Sequence, residues 1–206
     1  GSNKVKFGAY YGGSSKRNIK NVDLKNNRKN TWGTGLIFNH EIDSIQNVTV
    51  AAGFTRQISE NANKTAYYSN AYALGLAYNF VHTTYGLDLA HKDTKNKGGA
   101  GNKVKNNEVT AVIRQGLNED WNVYAMYSYK TEKTLPVGSA YSKSTDRQFL
   151  VGTEYYVFKQ GSVKVKPFIE WQATRTKYEN TFDKDSGKQL DRSRDFKTVI
   201  GLRAYW

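Results

Sequence analysis

The sequence predicts an all-β protein, a single antiparallel sheet of about ten strands, with twelve possible, rolled into a barrel. Three observations predict it. Stretch after stretch alternates apolar with small or polar residues, the period of a strand with one apolar face. The aromatic and β-branched types that suit a pleated surface dominate, with 15 Tyr, 9 Phe and 4 Trp against 1 Met and 2 Pro. Finally, the polar breaks between alternating stretches are by turns long and short.

The first strand runs from Lys4 to Gly12, with Val5, Phe7, Ala9 and Tyr11 on one face. A polar, basic stretch, Ser14 to Asn30, separates it from Thr31–Ile42, and Asp43-Ser44 leads tightly into Asn47–Ile58. After Ser59–Lys64 comes Ala66–Val81, turning at His82-Thr83-Thr84 into Tyr85–Lys92. Asp93–Asn106 is a Gly- and Asn-rich loop before Asn107–Leu117. Asn118-Glu119-Asp120 is a short turn into Trp121–Lys130, the cleanest alternation in the chain. Thr131–Thr145 is a loop, Asp146–Phe158 a strand, and Lys159–Ser162 a turn. Val163–Lys177 carries Pro167, which lacks a ladder donor and marks a strand end or bulge. A charged loop, Glu179–Asp195, precedes the last strand, Phe196–Trp206. Long loops therefore follow the odd-numbered strands and tight turns the even-numbered ones.

The two faces differ in kind. One carries Val, Ile, Leu, Phe and Ala, with Tyr11, Trp32, Tyr85, Trp121, Tyr129, Trp171 and Trp206 towards its ends. Amphipathic rings bordering an apolar band suit a lipid interface. The other face mixes Gly, Ala, Ser and Thr with charges, a composition suited to a narrow interior. No apolar run approaches the ~20 residues of a spanning helix, whereas a spanning strand needs only about 9–11. The terminal strand has Gly201, Ala204 and Trp206 in a Gly-x-x-apolar-x-aromatic pattern and resembles the C-terminal strand of bacterial outer-membrane β-barrels. That resemblance implies a transmembrane barrel of the Gram-negative outer membrane, with short periplasmic turns and long extracellular loops. It also implies recognition of this strand by the barrel assembly machinery, closure of the barrel by pairing with Lys4–Gly12, and Trp206 at the periplasmic interface. Residues 1–206 then form one barrel domain, with Gly1-Ser2 reading as a vector-derived scar.

Composition narrows the function. Cys is absent, which removes disulfides and thiolate metal sites. The formal net charge of +13 suits polyanionic partners, but no helix or stacking platform for nucleic acid is recognisable. No nucleophile, phosphate loop or metal spacing stands out, so no enzyme, cofactor or metal is expected. His91 with Asp88 and Asp93 is the only cluster faintly like a catalytic one, and loop or interface histidines are the simpler reading of it and of His40 and His82.

Charges on the polar face are the informative set. Lys6, Lys92, Arg114, Lys130, Lys164, Lys166, Lys197 and Arg203 share it with Asp88, Glu108, Glu154 and Glu170. Packed in pairs they are structural; spaced along a path they form a ladder of weak sites for anions. Small residues at Ala51, Gly53, Ala71, Ala73, Gly75 and Ala77 suggest residual space beside one wall. A second set, Lys16, Arg17, Lys20, Lys25, Arg28 and Lys29, lies in the first loop, suited to lipopolysaccharide phosphates or acidic glycans. In length and basic interior the chain is similar to the small monomeric porins for acidic oligosaccharides; in strand number and basic loops it is similar to ten-stranded outer-membrane adhesins. These similarities imply a monomeric channel for small anionic or sugar-acid solutes, with a surface adhesin or structural barrel as the alternative.

Overall fold

The computed structural model describes residues 1–13, 27–60, 66–96, 103–136, 140–161, 163–182 and 186–205. Its strands are β1 (Asn3–Gly12), β2 (Asn27–Glu41), β3 (Gln46–Glu60), β4 (Ala66–Phe80), β5 (Thr83–Asn96), β6 (Lys103–Gly116), β7 (Trp121–Leu135), β8 (Ser142–Tyr155), β9 (Phe158–Gln160), β10 (Val163–Glu179) and β11 (Arg192–Tyr205). They form one antiparallel meander in the order β1-β2-β3-β4-β5-β6-β7-β8-β10-β11, with the three-residue β9 pairing only β10. Ten long strands thus match the number expected from the sequence. Among the described residues no helix is long and apolar enough to cross a membrane, which says nothing of strands.

Most long strands run further than the alternation foretold. β2 starts at Asn27, four residues ahead of Thr31, so the backbone of Arg28 and Lys29 is strand, with a register shift between Arg28 and Asn30. β5 continues to Asn96, β6 begins at Lys103, β7 reaches Leu135 and β11 starts at Arg192. The cause is physical: ladder hydrogen bonds continue wherever two strands run on together, whereas alternation shows only where one face meets an apolar medium. Beyond that band both faces are polar and the period disappears.

The short turns are built from side-chain-to-backbone bonds. Asp43 accepts from the Ile45 amide through Oδ1 at 2.9 Å. Asn118 Oδ1 accepts from the amides of Asp120 and Trp121 at 2.9 and 2.8 Å. At the β4–β5 turn Val81 sits at φ 53°, where a β-branched side chain is strained and only glycine is at ease. Its side chain is 53% exposed and contributes little packing. We expect Val81→Gly to stabilise the fold by about 1 kcal/mol, read as a higher urea midpoint of the folded protein. A lower midpoint would show that the turn does not hold the strain its φ angle indicates. Pro167 falls where β10 changes partner: Val163–Val165 pair with β9 and the ladder to β8 starts at Phe168, so no bond is lost at the proline.

One expectation is corrected. The terminal strand does not pair with Lys4–Gly12: among the described residues β1 and β11 are the two edges of the sheet and do not approach one another. Phe7 is 73% and Ile200 77% exposed, as edge strands without a second neighbour must be. Trp206 lies outside the described residues.

Burial is inverted relative to a water-soluble domain. Among the described residues no hydrophobic side chain is buried, and the buried ones are Thr31, Ser128, Thr145, Glu154 and Lys166. The apolar face presents Trp32, Leu74, Leu76, Phe149, Ile169 and Trp171 outward. Bonds that leap over an intervening strand, Arg114–Glu154 across β7 and Arg203–Glu154 across β10, lie on the polar face. That face is therefore the concave one. The aromatics expected at band edges, Tyr11, Trp32, Tyr85, Trp121, Tyr129 and Trp171, all lie exposed on the convex face.

Candidate functional site on the concave face

The concave face has a filled half and an empty half, and sequence dictates which is which. On β6, β7, β8, β10 and β11, alternation directs Arg114, Tyr124, Glu154, Lys166, Phe168, Glu170 and Arg203 inward near the short-turn end. Register sets Glu154 opposite Asn122 and Phe168, and Arg203 opposite Lys166. Glu154 is the hub. It is 4% exposed and accepts from Arg114 Nη2, Lys166 Nζ and Arg203 Nη1, each at 2.8 Å. Arg203 Nη2 reaches Glu170 Oε1 at 2.7 Å, and the Tyr124 hydroxyl donates to the same oxygen at 2.7 Å.

Lys166, 6% exposed, also lies over the rings of Tyr156 and Tyr205 at 5.0 and 5.2 Å. The Arg203 guanidinium stacks 4.1 Å from the Phe168 ring centre. A carboxylate buried this deeply would be costly alone by several kcal/mol, and the surrounding cations offset that penalty. Three cations meet two carboxylates, so the cluster keeps a net positive charge. Tyr124 and Phe168 lie over Gly152 and Gly201: a Cβ on either glycine would come within 2.5 Å of the ring, so both positions need glycine.

The opposite wall is hollow. A Cβ built on Gly8 meets nothing within 4 Å, and on Gly35 or Gly53 only a backbone oxygen at 3.7 or 3.8 Å. Gly53 and Ala73 face each other across β3 and β4, as do Ala51 and Gly75. Lys6 and Asp88 line this hollow. The small-residue row of the sequence thus corresponds to space against β1–β5, except at Gly75, where a Cβ would come within 2.8 Å of Asp88 Oδ1.

The basic residues singled out from the sequence divide accordingly. Arg114, Lys166 and Arg203 converge on Glu154, so they are paired and not a free ladder. Lys6 is exposed in the hollow. Lys92 stands opposite Ala71 and Asn106, and Lys130 opposite Glu108 and Asp146; both are exposed and close no ion pair among the described residues. Lys164, opposite Tyr205 and Lys159, and Lys197, opposite Gln172, are exposed as well. Lys16, Arg17, Lys20 and Lys25 lie outside the described residues, as do the side chains of Arg28 and Lys29.

Sequence reasoning missed the rank of Glu154 among the acids and the part of Tyr124. Parity placed Glu154 inward but gave no sign that three cations meet there. His91 Nε2 lies 3.4 Å from Asp93 and its Nδ1 2.6 Å from Asn107 Oδ1, whereas Asp88 points to the other face and takes no part. Among the described residues no group of three or more His, Cys, Asp or Glu is placed to hold a metal ion. No protein-family model matches this chain, and no curated protein matches its sequence.

Proposed function

We propose that the chain is a monomeric, non-enzymatic barrel of the Gram-negative outer membrane that conducts small anionic or sugar-acid solutes along the wall of β1–β5. The inverted burial carries the reading: among the described residues no large apolar side chain is buried, rows of them lie exposed on the convex face, and the buried side chains are polar or charged. Water penalises that arrangement and lipid favours it. An even number of long strands makes β1 and β11 antiparallel, so closure between them needs no reversal of direction. The hollow gives a path, and Lys6 and Lys92 on its wall, with Lys130, Lys164 and Lys197 on the other strands of the concave face, give it a positive sign without strong trapping sites. Exposed carboxylates are fewer there, and the deepest one, Glu154, is already neutralised.

The filled half favours a second reading, a structural barrel or adhesin whose interior does not conduct. The cluster about Glu154 joins side chains from β6, β8, β10 and β11 on the concave face, and barrels near eight strands are filled by side chains. Planar bilayers separate the two. We expect stable openings that prefer chloride over potassium, and we expect Lys6→Glu with Lys164→Glu to lower that preference about threefold or more. Electrical silence of correctly inserted protein would leave the structural barrel or adhesin.

A further inference from the structure

The convex face carries a second charged site that neither alternation nor the pore explains. Tyr129, Arg147, Arg175 and Arg194 stand in one cross-strand row over β7, β8, β10 and β11. The next row towards the long-loop end sets Thr145, Lys177 and Arg192 side by side, and beyond it Lys143 faces Glu179. Residues of both rows enclose a shallow depression. Like charges directly opposite on neighbouring strands repel, and here three guanidinium groups stand in succession. Glu179 serves Lys143 and Lys177, each at 3.8 Å, and Asp191 lies 3.8 Å from Arg192. Arg147, Arg175 and Arg194 have no ion pair or hydrogen bond among the described residues, and all three are exposed. The acids at Asp146 and Asp195 point to the concave face, opposite Thr176 and Thr174.

Height identifies the ligand. Immediately on the short-turn side of the arginines lies the row Tyr127, Phe149, Ala173 and Phe196, about 7 Å down the strands. Below it the convex face of β10 continues through Trp171, Ile169, Pro167 and Val165, an apolar stretch of about 27 Å from Ala173. At a strand tilt of about 35–45° that stretch rises about 19–22 Å, and the two further residues to Arg175 bring the height to about 24–28 Å, the edge of a barrel's apolar band of about 25 Å. The arginines therefore stand at the rim of the band, level with headgroups and not with acyl chains.

We propose that Arg147, Arg175 and Arg194, with Lys177 and Arg192 above them, bind the phosphate groups of a phosphorylated glycolipid headgroup in the outer leaflet. The site lies away from the pore and is separate from the basic first loop. Guanidinium groups bind phosphate oxygens in bidentate fashion, and one bridging phosphate removes the mutual repulsion of neighbouring arginines. Tyr129 and Phe149 border the site and suit the sugar and the first carbons of an acyl chain.

This inference rests on the membrane reading, and the test keeps the two apart. Protein refolded in detergent is titrated with diphosphorylated lipid A, with dephosphorylated lipid A and with inorganic phosphate, and insertion into vesicles is scored in parallel. Diphosphorylated lipid A is expected to bind at least tenfold more tightly than the dephosphorylated form, and Arg147→Gln/Arg175→Gln/Arg194→Gln to abolish that difference. Without lipid the triple variant should unfold at the same or a higher temperature than the parent, because it removes repulsion; a variant that binds nothing because it is misfolded is thereby recognised. Arg175→Lys, which keeps the charge and loses the fork, should bind several-fold more weakly than the parent. Inserted protein that treats the two lipid A forms alike overturns the site and leaves the barrel standing. Full competition by millimolar inorganic phosphate would assign the site to a soluble anion and overturn the lipid as its ligand. Protein that stays soluble without detergent and does not insert overturns both readings.

Discussion

Glu154→Gln is expected to destabilise the folded protein by about 3 kcal/mol, the low end of what removing one partner of a buried ion pair costs. The size follows from who is left behind. Arg114 and Arg203 are partly exposed, and water screens much of what they lose. Lys166 is buried beside the lost carboxylate, keeps only the faces of Tyr156 and Tyr205, and dominates the penalty. Glutamine preserves shape and one acceptor, so the effect isolates charge from packing. Urea unfolding in phospholipid vesicles, followed by tryptophan fluorescence, measures it. Glu154→Leu combined with Lys166→Met should recover most of the loss, since replacing both members of a buried pair by apolar groups is often neutral or better. A midpoint for Glu154→Gln within error of the parent would mean that the cluster does not order this half of the interior.

Filling the hollow should have the largest effect on conductance. Gly53→Leu with Ala73→Leu places two branched side chains opposite each other on β3 and β4, where a Cβ at Gly53 meets only the Thr34 carbonyl oxygen at 3.8 Å. The backbone has room, so the fold should persist while the path narrows. With so few strands any open cross-section is narrow, and we expect the unitary current to fall by about half or more. The same volume added at Gly152 would strike the Tyr124 ring and register as misfolding instead. An unchanged unitary current in the β3–β4 variant would place the path elsewhere or show that conduction does not use this wall. Together the two experiments separate the functions of the halves: the Glu154 side changes stability, and the glycine side changes flow.

Much of this was legible in the chain itself, because a strand's side chains alternate with a period of two whatever the sheet does as a whole. Trp121–Lys130 and Val163–Lys177 could be assigned face by face from sequence, and the structure keeps that assignment within β7 and β10. Asp43 and Asn118, whose short side chains bond to nearby amides, marked two of the tight turns. The extensions at Asn27, Asn96 and Lys103 were not legible, since strands with two polar faces leave no periodic trace.

The sequence by itself determined the class of the sheet, the number of long strands and the shared face of Lys6, Lys92, Arg114, Lys130, Lys164, Lys166, Lys197 and Arg203, since these follow from local alternation and turn chemistry. Only the tertiary structure decided which charges meet. Glu154 lies 40 residues from Arg114, 12 from Lys166 and 49 from Arg203, and nothing in such separations reports that register brings all three to one carboxylate. Register also sets Arg147, Arg175 and Arg194 in a single row and leaves β1 and β11 as free edges. Alternation is a property of one strand, whereas register is a property of pairs of strands. A binding site made across strands exists only at the second level.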